Sequence, residues 1–140
     1  MITVDVLVEA LRRYIDTSYK HQGRSIETGV DCLGLVAACA NDLGIEILDE
    51  VDYSTKVDPD RLLNGIKEHC VQNFPKTFEI GDLALMQFSK LAGPTHLAII
   101  TDKGLIHSYN RVGKVVEHRM NSVWKARIVS TFKINGVNYE

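Results

Sequence analysis

The chain has 140 residues, of which 45% are hydrophobic and 24% are charged, and its formal net charge is −2. This length and composition predict a single globular domain, residues 1–140, with a hydrophobic core of its own. Because the chain carries no overall basic charge, we expect neither a nucleic-acid-binding protein nor one held on an anionic membrane. The function therefore has to reside in a local site.

The cysteines and the N-terminal segment bear on the cellular compartment. Cys32, Cys39 and Cys70 are an odd number and cannot all pair within the chain, so we expect reduced thiols. Residues 1–16 carry charges within their apolar pattern and contain no long apolar block, which predicts neither a signal peptide nor a membrane span. We therefore expect synthesis in the cytoplasm, with another agent carrying the protein to any site outside the cell.

Three helices are predicted in the first half of the chain. Apolar residues recur at helical spacing over residues 4–17, 32–43 and 58–70, and Gly44 is a typical stop signal for the second helix. Residues 18–31 lack periodicity and are predicted to form a loop.

The second half of the chain is predicted to form a β-sheet. From Gly81 onward, short β-rich runs alternate with turn signals, and they cover residues 82–88, 96–101, 104–109, 114–120 and 126–134. Hairpins of this kind form antiparallel sheets. Helices followed by such strands predict an α+β fold.

Cys32 stands at the predicted start of the second helix. Unpaired backbone N–H groups and the helix dipole at such a position can lower the pKa of a thiol, and the same groups can stabilise an oxyanion. These properties favour a nucleophile. The alternative is a structural cysteine packed as a small apolar residue, and this is our interpretation of Cys39 and Cys70.

Two histidines could serve as the base and its orienting group. His96 and His107 lie in consecutive strand-like runs that are joined by a turn at Asp102 and Lys103. A two-residue loop there would place His107 opposite Ala98, diagonal to His96 and on the same face of the sheet. A nucleophilic cysteine needs a base within hydrogen-bond reach and a group that holds the base.

The remaining histidines offer weaker candidates. His21 and His118 lie among polar residues and are interpreted as solvated, whereas His69 lies beside Cys70 on a helix, where adjacent side chains do not face each other. A zinc site would also use cysteine and histidine ligands. Because closely spaced ligand pairs such as C-x₂-C are absent, we predict no metal and no cofactor.

These residues resemble the NlpC/P60 cysteine peptidases, which are cell-wall hydrolases with a papain-like core. The segment D-C-L-G-L-V at 31–36 is similar to the family segment that opens the nucleophile helix. Residues 96–99, H-L-A-I, and 106–108, I-H-S, are similar to the strands that carry the catalytic histidine and the third polar residue. The resemblance implies a papain-like α+β core, in which N-terminal helices pack on an antiparallel sheet and the nucleophile lies at a helix N-terminus.

The resemblance also implies catalytic roles. Cys32 would attack an amide carbonyl in a peptidoglycan stem peptide, commonly the bond between D-glutamate and the diamino acid. His96 would take the thiol proton and later protonate the leaving amine, and His107 would orient the ring of His96.

Three further residues receive binding roles by the same resemblance. Tyr19 would lie over the site and help bind the oxyanion. Asp31 is a candidate for binding an amine of the peptide and Arg24 for binding a carboxylate. The alternatives for these two are a helix cap and a surface cation.

A narrower similarity concerns phage-associated members of the family. Residues 16–24, D-T-S-Y-K-H-Q-G-R, resemble their G-T-P-Y-x-H-Q-G-R segment, with Asp16 and Ser18 in place of glycine and proline. Residues 123–127, V-W-K-A-R, resemble a closing segment of tail-assembly and gene-transfer-agent peptidases, and the likeness extends from about residue 7 to residue 130. This similarity implies phage tail proteins as partners and action at the cell wall, within a tail or after lysis.

Two other functions fit the same residues. One is a tail-assembly or interaction module that keeps the fold without turnover, since fold does not establish function. The other is a cysteine amidase or acyltransferase acting on another substrate, which needs the same nucleophile, base and oxyanion donors. The sequence leaves open whether residues 51–60 form a fixed wall of the groove or a lid.

Overall fold

The structure, a computed structural model, describes all 140 residues. The helices are α1 (Val4–Arg12), α2 (Cys32–Leu43), α3 (Pro59–His69) and α4 (Ser122–Arg127). The strands are β1 (Ile2–Thr3), β2 (Arg24–Ser25), β3 (Gly29–Val30), β4 (Cys70–Gln72), β5 (Leu83–Gln87), β6 (Pro94–Thr101), β7 (Gly104–Tyr109), β8 (Lys114–His118), β9 (Ile128–Ile134) and β10 (Val137–Asn138). None of the helices is long and apolar enough to cross a lipid bilayer.

A six-stranded sheet forms the centre of the fold. Its strand order is β4-β9-β5-β6-β7-β8, and every neighbouring pair is antiparallel. Two small pairs lie outside it: parallel β1 and β10, and antiparallel β2 and β3. The predicted α+β class, with helices on an antiparallel sheet, is confirmed.

Alternating side chains of the sheet supply two hydrophobic clusters, as strand geometry requires. The larger cluster joins one face of the sheet to α1, α2 and α3, and includes Leu83, Leu85, Leu97, Ile99, Ile106, Leu7, Leu11, Leu35 and Ile66. The smaller cluster lies on the other face, where Trp124 of α4 packs, and contains Ala84, Met86, Ala98, Ile100, Leu105 and Ile128.

The first helix is shorter than the sequence predicts. It ends at Arg12, five residues before the expected end at Thr17. The N–H groups of Tyr14, Ile15 and Thr17 donate to carbonyls three residues earlier, so the chain continues as tight turns. Asp16, at φ 72°, then redirects the backbone out of the helical path. Tyr14 is buried in these turns although it lies outside the helix, whereas Ile15 is exposed, so the apolar spacing predicted a longer helix than the chain forms.

Other boundaries also differ from the predictions. The expected loop at 18–31 contains β2 and β3, and Cys70 begins β4 with an extended backbone instead of ending α3. The last strand begins at Ile128, because the preceding residues form α4, which the sequence did not predict. The start of β4 depends on pairing with β9, which lies far away in sequence, whereas β2 and β3 pair with each other.

The hairpin of β6 and β7 has the predicted two-residue turn. Thr101 pairs with Gly104, which leaves Asp102 and Lys103 as the loop. Gly104 has φ 137°, a conformation that L-residues rarely adopt. Arg12 of α1 donates to the Asp102 carboxylate and holds the turn against the helix. This hairpin positions both predicted histidines.

Candidate active site

Cys32 is the first residue of α2, and its surroundings explain the D-C-x-G pattern. The Asp31 carboxylate caps the helix by accepting a hydrogen bond from the N–H of Gly34 at 2.7 Å. The N–H groups of Cys32 and Leu33 have no partner within the helix by helix geometry. A Cβ at Gly34 would lie 1.9 Å from the carbonyl oxygen of Gly23, so only glycine allows this close packing.

Cys32 lies against the sheet near the point where β6 and β7 are no longer paired. The ladder between β6 and β7 ends at Ile99 and Ile106, although both strands continue beyond those residues. The backbone N–H groups of Leu97, on β6, and Leu33 lie close enough to the sulfur to favour its thiolate form. Cys32 therefore lies beside the strand that carries His96.

The pKa of Cys32 is shifted opposite to the direction that the helix N-terminus alone predicts. Burial of the sulfur raises the pKa of the thiol to about 11, and the charge of Asp31 raises it further, while the N–H groups of Leu97 and Leu33 oppose the shift. The prediction of a lowered pKa is wrong, because desolvation outweighs the dipole. Cys32 thus rests as a thiol, and attack on a carbonyl requires a base.

His96 and His107 form the pair that the sequence predicted. Nε2 of His96 lies 2.6 Å from Nδ1 of His107, and both residues are buried. Burial lowers the pKa of His96 to about 3. Burial, followed by the charges of His96 and His118, lowers the pKa of His107 to about 2. Both rings are therefore neutral at pH 7, and a neutral His96 can accept a proton.

A third histidine extends this pair, and sequence reasoning missed it. Nε2 of His118, on β8, lies 2.9 Å from Nε2 of His107, and its Nδ1 lies 2.9 Å from the carbonyl oxygen of Arg119. The interpretation of His118 as a solvated side chain is wrong. A signal was present in the sequence, because the three histidines follow one another at intervals of 11 residues along consecutive hairpin strands.

Aromatic side chains enclose the histidines. Tyr109 stacks on His107 with ring centroids 5.0 Å apart, and Phe88 lies 5.0 Å from His96. Trp124 of α4 lies 5.3 Å from the ring of His107 and 4.6 Å from that of His118. These apolar surfaces exclude water from the imidazoles of His96 and His107, and this burial is the physical cause of the lowered pKa values of those two residues.

An open groove of about 1220 Å³ is lined by both the candidate nucleophile and the candidate base. Cys32, His96 and Tyr19 all line it, and residues 52–59 form part of its wall. Burial raises the pKa of Tyr19, and the charges of Cys32 and Asp31 raise it further, so the phenol stays protonated in the groove that it shares with Cys32. The side chains of the protein include no group of three or more His, Cys, Asp or Glu arranged to hold a metal ion.

Asp31 and Arg24 lie together, but only Asp31 reaches the groove. The Asp31 carboxylate accepts hydrogen bonds from the N–H groups of Gly34 and Gln22, from Arg24 and from the Tyr53 hydroxyl. Its role as a helix cap is thus present in the structure, and amine binding stays a prediction.

Arg24 does not line the groove, and its guanidinium is held by neighbouring groups. Its guanidinium donates to Asp31 at 3.2 Å, to Asp49 at 2.8 Å and to the carbonyl oxygens of Gly23 and Glu50. These contacts tie residues 49–53 to the start of α2. The structure therefore does not bring Arg24 to a position where it meets a substrate carboxylate, because Arg24 does not line the groove and its guanidinium is held by two carboxylates and two backbone carbonyls.

Comparison with known proteins adds independent information. Residues 16–133 match the model of the NlpC/P60 family. A search of curated proteins gives no match.

Several solved structures share the fold. The NlpC/P60 domain of the peptidoglycan hydrolase SagA has 19% identity and a TM-score of 0.67, over 94% of this chain and 98% of that one. An NlpC/P60 family protein from Bacillus cereus ATCC 10987 has 20% identity and a TM-score of 0.71, over 94% of this chain and 40% of that one. A lipoprotein-like NLP/P60 family protein from Staphylococcus aureus subsp. aureus Mu50 has 16% identity and a TM-score of 0.66, and this chain spans 41% of its length.

Proposed function

Since its residues 16–133 match the family model, the chain belongs to the NlpC/P60 family, and we propose that it is a cysteine peptidase that hydrolyses amide bonds in peptidoglycan stem peptides. The observation that carries this proposal is the meeting of Cys32 and His96 in one open groove, with His107 hydrogen-bonded behind His96. A similar structure is the NlpC/P60 domain of a peptidoglycan hydrolase, which supports the choice of substrate.

The first chemical step is attack by the thiol. Because burial keeps Cys32 protonated, its proton passes to the neutral ring of His96 as the sulfur adds to the amide carbonyl. His107 holds the ring of His96 through the 2.6 Å contact between their nitrogens. The imidazolium that forms then protonates the departing amine.

The start of α2 stabilises the charge on the carbonyl oxygen. The N–H groups of Cys32 and Leu33 are free of helical partners, and donors of this kind stabilise a tetrahedral oxyanion. The Tyr19 hydroxyl stays protonated, because its pKa is raised, and supplies a further donor beside the sulfur. Water then hydrolyses the thioester, with His96 acting as the base.

The groove suits a peptide that carries both signs of charge. Its wall includes Asp52 and Asp58 as well as Lys56, Arg61 and Arg111. Stem peptides present free carboxylates and amines, so these side chains can pair with both. We assign the scissile bond to the link between D-glutamate and the diamino acid, and the support for this assignment is the resemblance of 31–36, 96–99 and 106–108 to the family motifs.

We further propose that the enzyme works within a phage tail or a related apparatus, or after lysis, at the cell wall. The support is the similarity of residues 16–24 and 123–127 to phage-associated members. Mass spectrometry of purified tail particles should detect the chain at constant stoichiometry. Its absence from such particles would contradict the tail assignment and leave the peptidase assignment intact.

The proposed activity is tested by digestion of purified peptidoglycan, in parallel with sacculi that contain diaminopimelate and sacculi that contain lysine. Wild-type protein should release soluble peptides, and Cys32→Ala should release none. Cys39→Ala is the matched control, because this buried thiol lies on the same helix and does not line the groove. Cleavage by Cys32→Ala at the wild-type rate, or no cleavage by folded wild-type protein, would overturn the proposal.

A further inference from the structure

His118 ends a chain of three imidazoles that begins at the groove. We infer that His118 is a positioning residue that fixes which nitrogen of His107 and of His96 carries the proton, and thereby leaves Nδ1 of His96 free to act as the base. The contacts that carry this inference are His96 to His107 at 2.6 Å, His107 to His118 at 2.9 Å and His118 to the Arg119 carbonyl at 2.9 Å. The inference rests on the proposed peptidase function for its catalytic meaning.

The donor and acceptor roles along the three histidines follow from the last contact, between His118 and the Arg119 carbonyl. The carbonyl oxygen of Arg119 can only accept a hydrogen bond, so Nδ1 of His118 must carry a proton. In a neutral ring, Nε2 of His118 is then the acceptor, and Nε2 of His107 must be the donor.

The same reasoning continues to the groove. Since Nε2 of His107 carries its proton, Nδ1 of His107 is an acceptor and receives the proton of Nε2 of His96. Nδ1 of His96 is therefore left with its lone pair.

The opposite direction would disable the base. If Nε2 of His118 were a donor, then Nε2 of His107 would accept, and Nδ1 of His107 would donate to His96. The proton of His96 would then occupy Nδ1, and no lone pair would remain for the Cys32 proton. His118, when its Nδ1 donates to the Arg119 carbonyl and its Nε2 accepts from His107, selects the productive arrangement.

The surroundings leave His118 as the principal partner for the far side of His107. His107 has no exposed surface, so bulk water does not contact Nε2. Trp124 covers both rings, with centroids 5.3 Å from His107 and 4.6 Å from His118. On β8, His118 pairs with Leu105, which places its ring diagonal to His107 on the shared sheet face.

Two substitutions separate this role from simple packing. His118→Phe keeps a ring beside Trp124 and removes the acceptor, whereas His118→Gln places an amide oxygen near the former Nε2 position. One net hydrogen bond favours one tautomer over the other by about 3- to 10-fold. We therefore expect His118→Phe to lower kcat by about that factor at unchanged KM, and His118→Gln to recover most of the loss.

Nitrogen NMR of protein labelled with ¹⁵N histidine reads the proton positions directly, without substrate. Wild-type protein should show His96 protonated at Nε2 and unprotonated at Nδ1. His118→Phe should populate both tautomers, and His118→Gln should restore the wild-type spectrum. Amide spectra of each variant establish that the fold is retained.

Three outcomes would overturn the inference: a proton on Nδ1 of His96 in wild-type protein, a wild-type His96 spectrum in folded His118→Phe, or equal loss of kcat in both variants. If wild-type protein cleaves no peptidoglycan, the proposed function fails while the NMR result still decides the proton positions. The two failures are thus distinguishable.

Discussion

The buried neutral histidines predict a loss of stability in mild acid. The pKa of His96 is lowered to about 3 and that of His107 to about 2, whereas the ordinary value is 6.5. A group whose pKa is lowered on folding binds protons more readily in the unfolded chain. Its contribution to stability is therefore present above pH 6.5 and decreases as the pH falls below 6.5.

The size of this loss of stability does not depend on the exact pKa values in the folded protein, provided that they lie below the pH that is tested. At pH 5, the protonated form of an unfolded histidine with a pKa of 6.5 exceeds the neutral form by about 30-fold. His96 and His107 in the folded protein remain neutral at this pH. This ratio corresponds to about 2 kcal/mol for each histidine between pH 7 and pH 5, or about 4 kcal/mol for the pair.

Urea unfolding at pH 8, 7, 6 and 5 measures this quantity. The free energy of unfolding should change little from pH 8 to pH 7 and then decrease toward pH 5. His96→Asn should lose about 2 kcal/mol less than wild-type protein over the same interval, because one of the two buried imidazoles is gone. An equal pH dependence in both proteins would refute the conclusion that His96 is held neutral by burial.

Two further predictions concern the start of α2. Gly34→Ala should destabilise the protein by about 1–3 kcal/mol by thermal unfolding, because the new Cβ would lie 1.9 Å from the Gly23 carbonyl oxygen, and a stabilised variant would contradict this packing. Alkylation of Cys32 by iodoacetamide should be slow at pH 6 and accelerate toward pH 10, as expected for a thiol whose pKa is raised to about 11. Rapid labelling confined to Cys32 at pH 6, read by peptide mapping, would show instead that a thiolate is the resting form.

Local sequence chemistry accounts for the parts of the site that were predicted correctly. The turn at Asp102 and Lys103 fixes the register of β6 and β7, and that register brings His96 and His107 to one face. Asp31 before a helical apolar run marks the start of α2. Both signals involve residues close to one another in sequence.

The parts that were missed depend on a strand register, loop contacts and burial that the local sequence pattern does not specify. His118 meets His107 only because β8 pairs with β7 in one particular register. Arg24 is turned away from the groove by Asp49 and the Glu50 carbonyl, which belong to a loop without a periodic pattern. The pKa of Cys32 rises because the folded chain buries its sulfur, and a helix start in the sequence does not reveal that desolvation.

The most direct test of the account is cleavage of a defined peptide, L-alanyl-γ-D-glutamyl-diaminopimelate, in water enriched with ¹⁸O. Mass spectrometry should show wild-type protein releasing a fragment whose new glutamate carboxylate carries one ¹⁸O atom, with no product from Cys32→Ala. Two results would contradict the assignment of Cys32 as the nucleophile of a peptidoglycan peptidase. One is cleavage by Cys32→Ala at the wild-type rate. The other is a folded wild-type protein that cleaves neither this peptide nor either type of peptidoglycan.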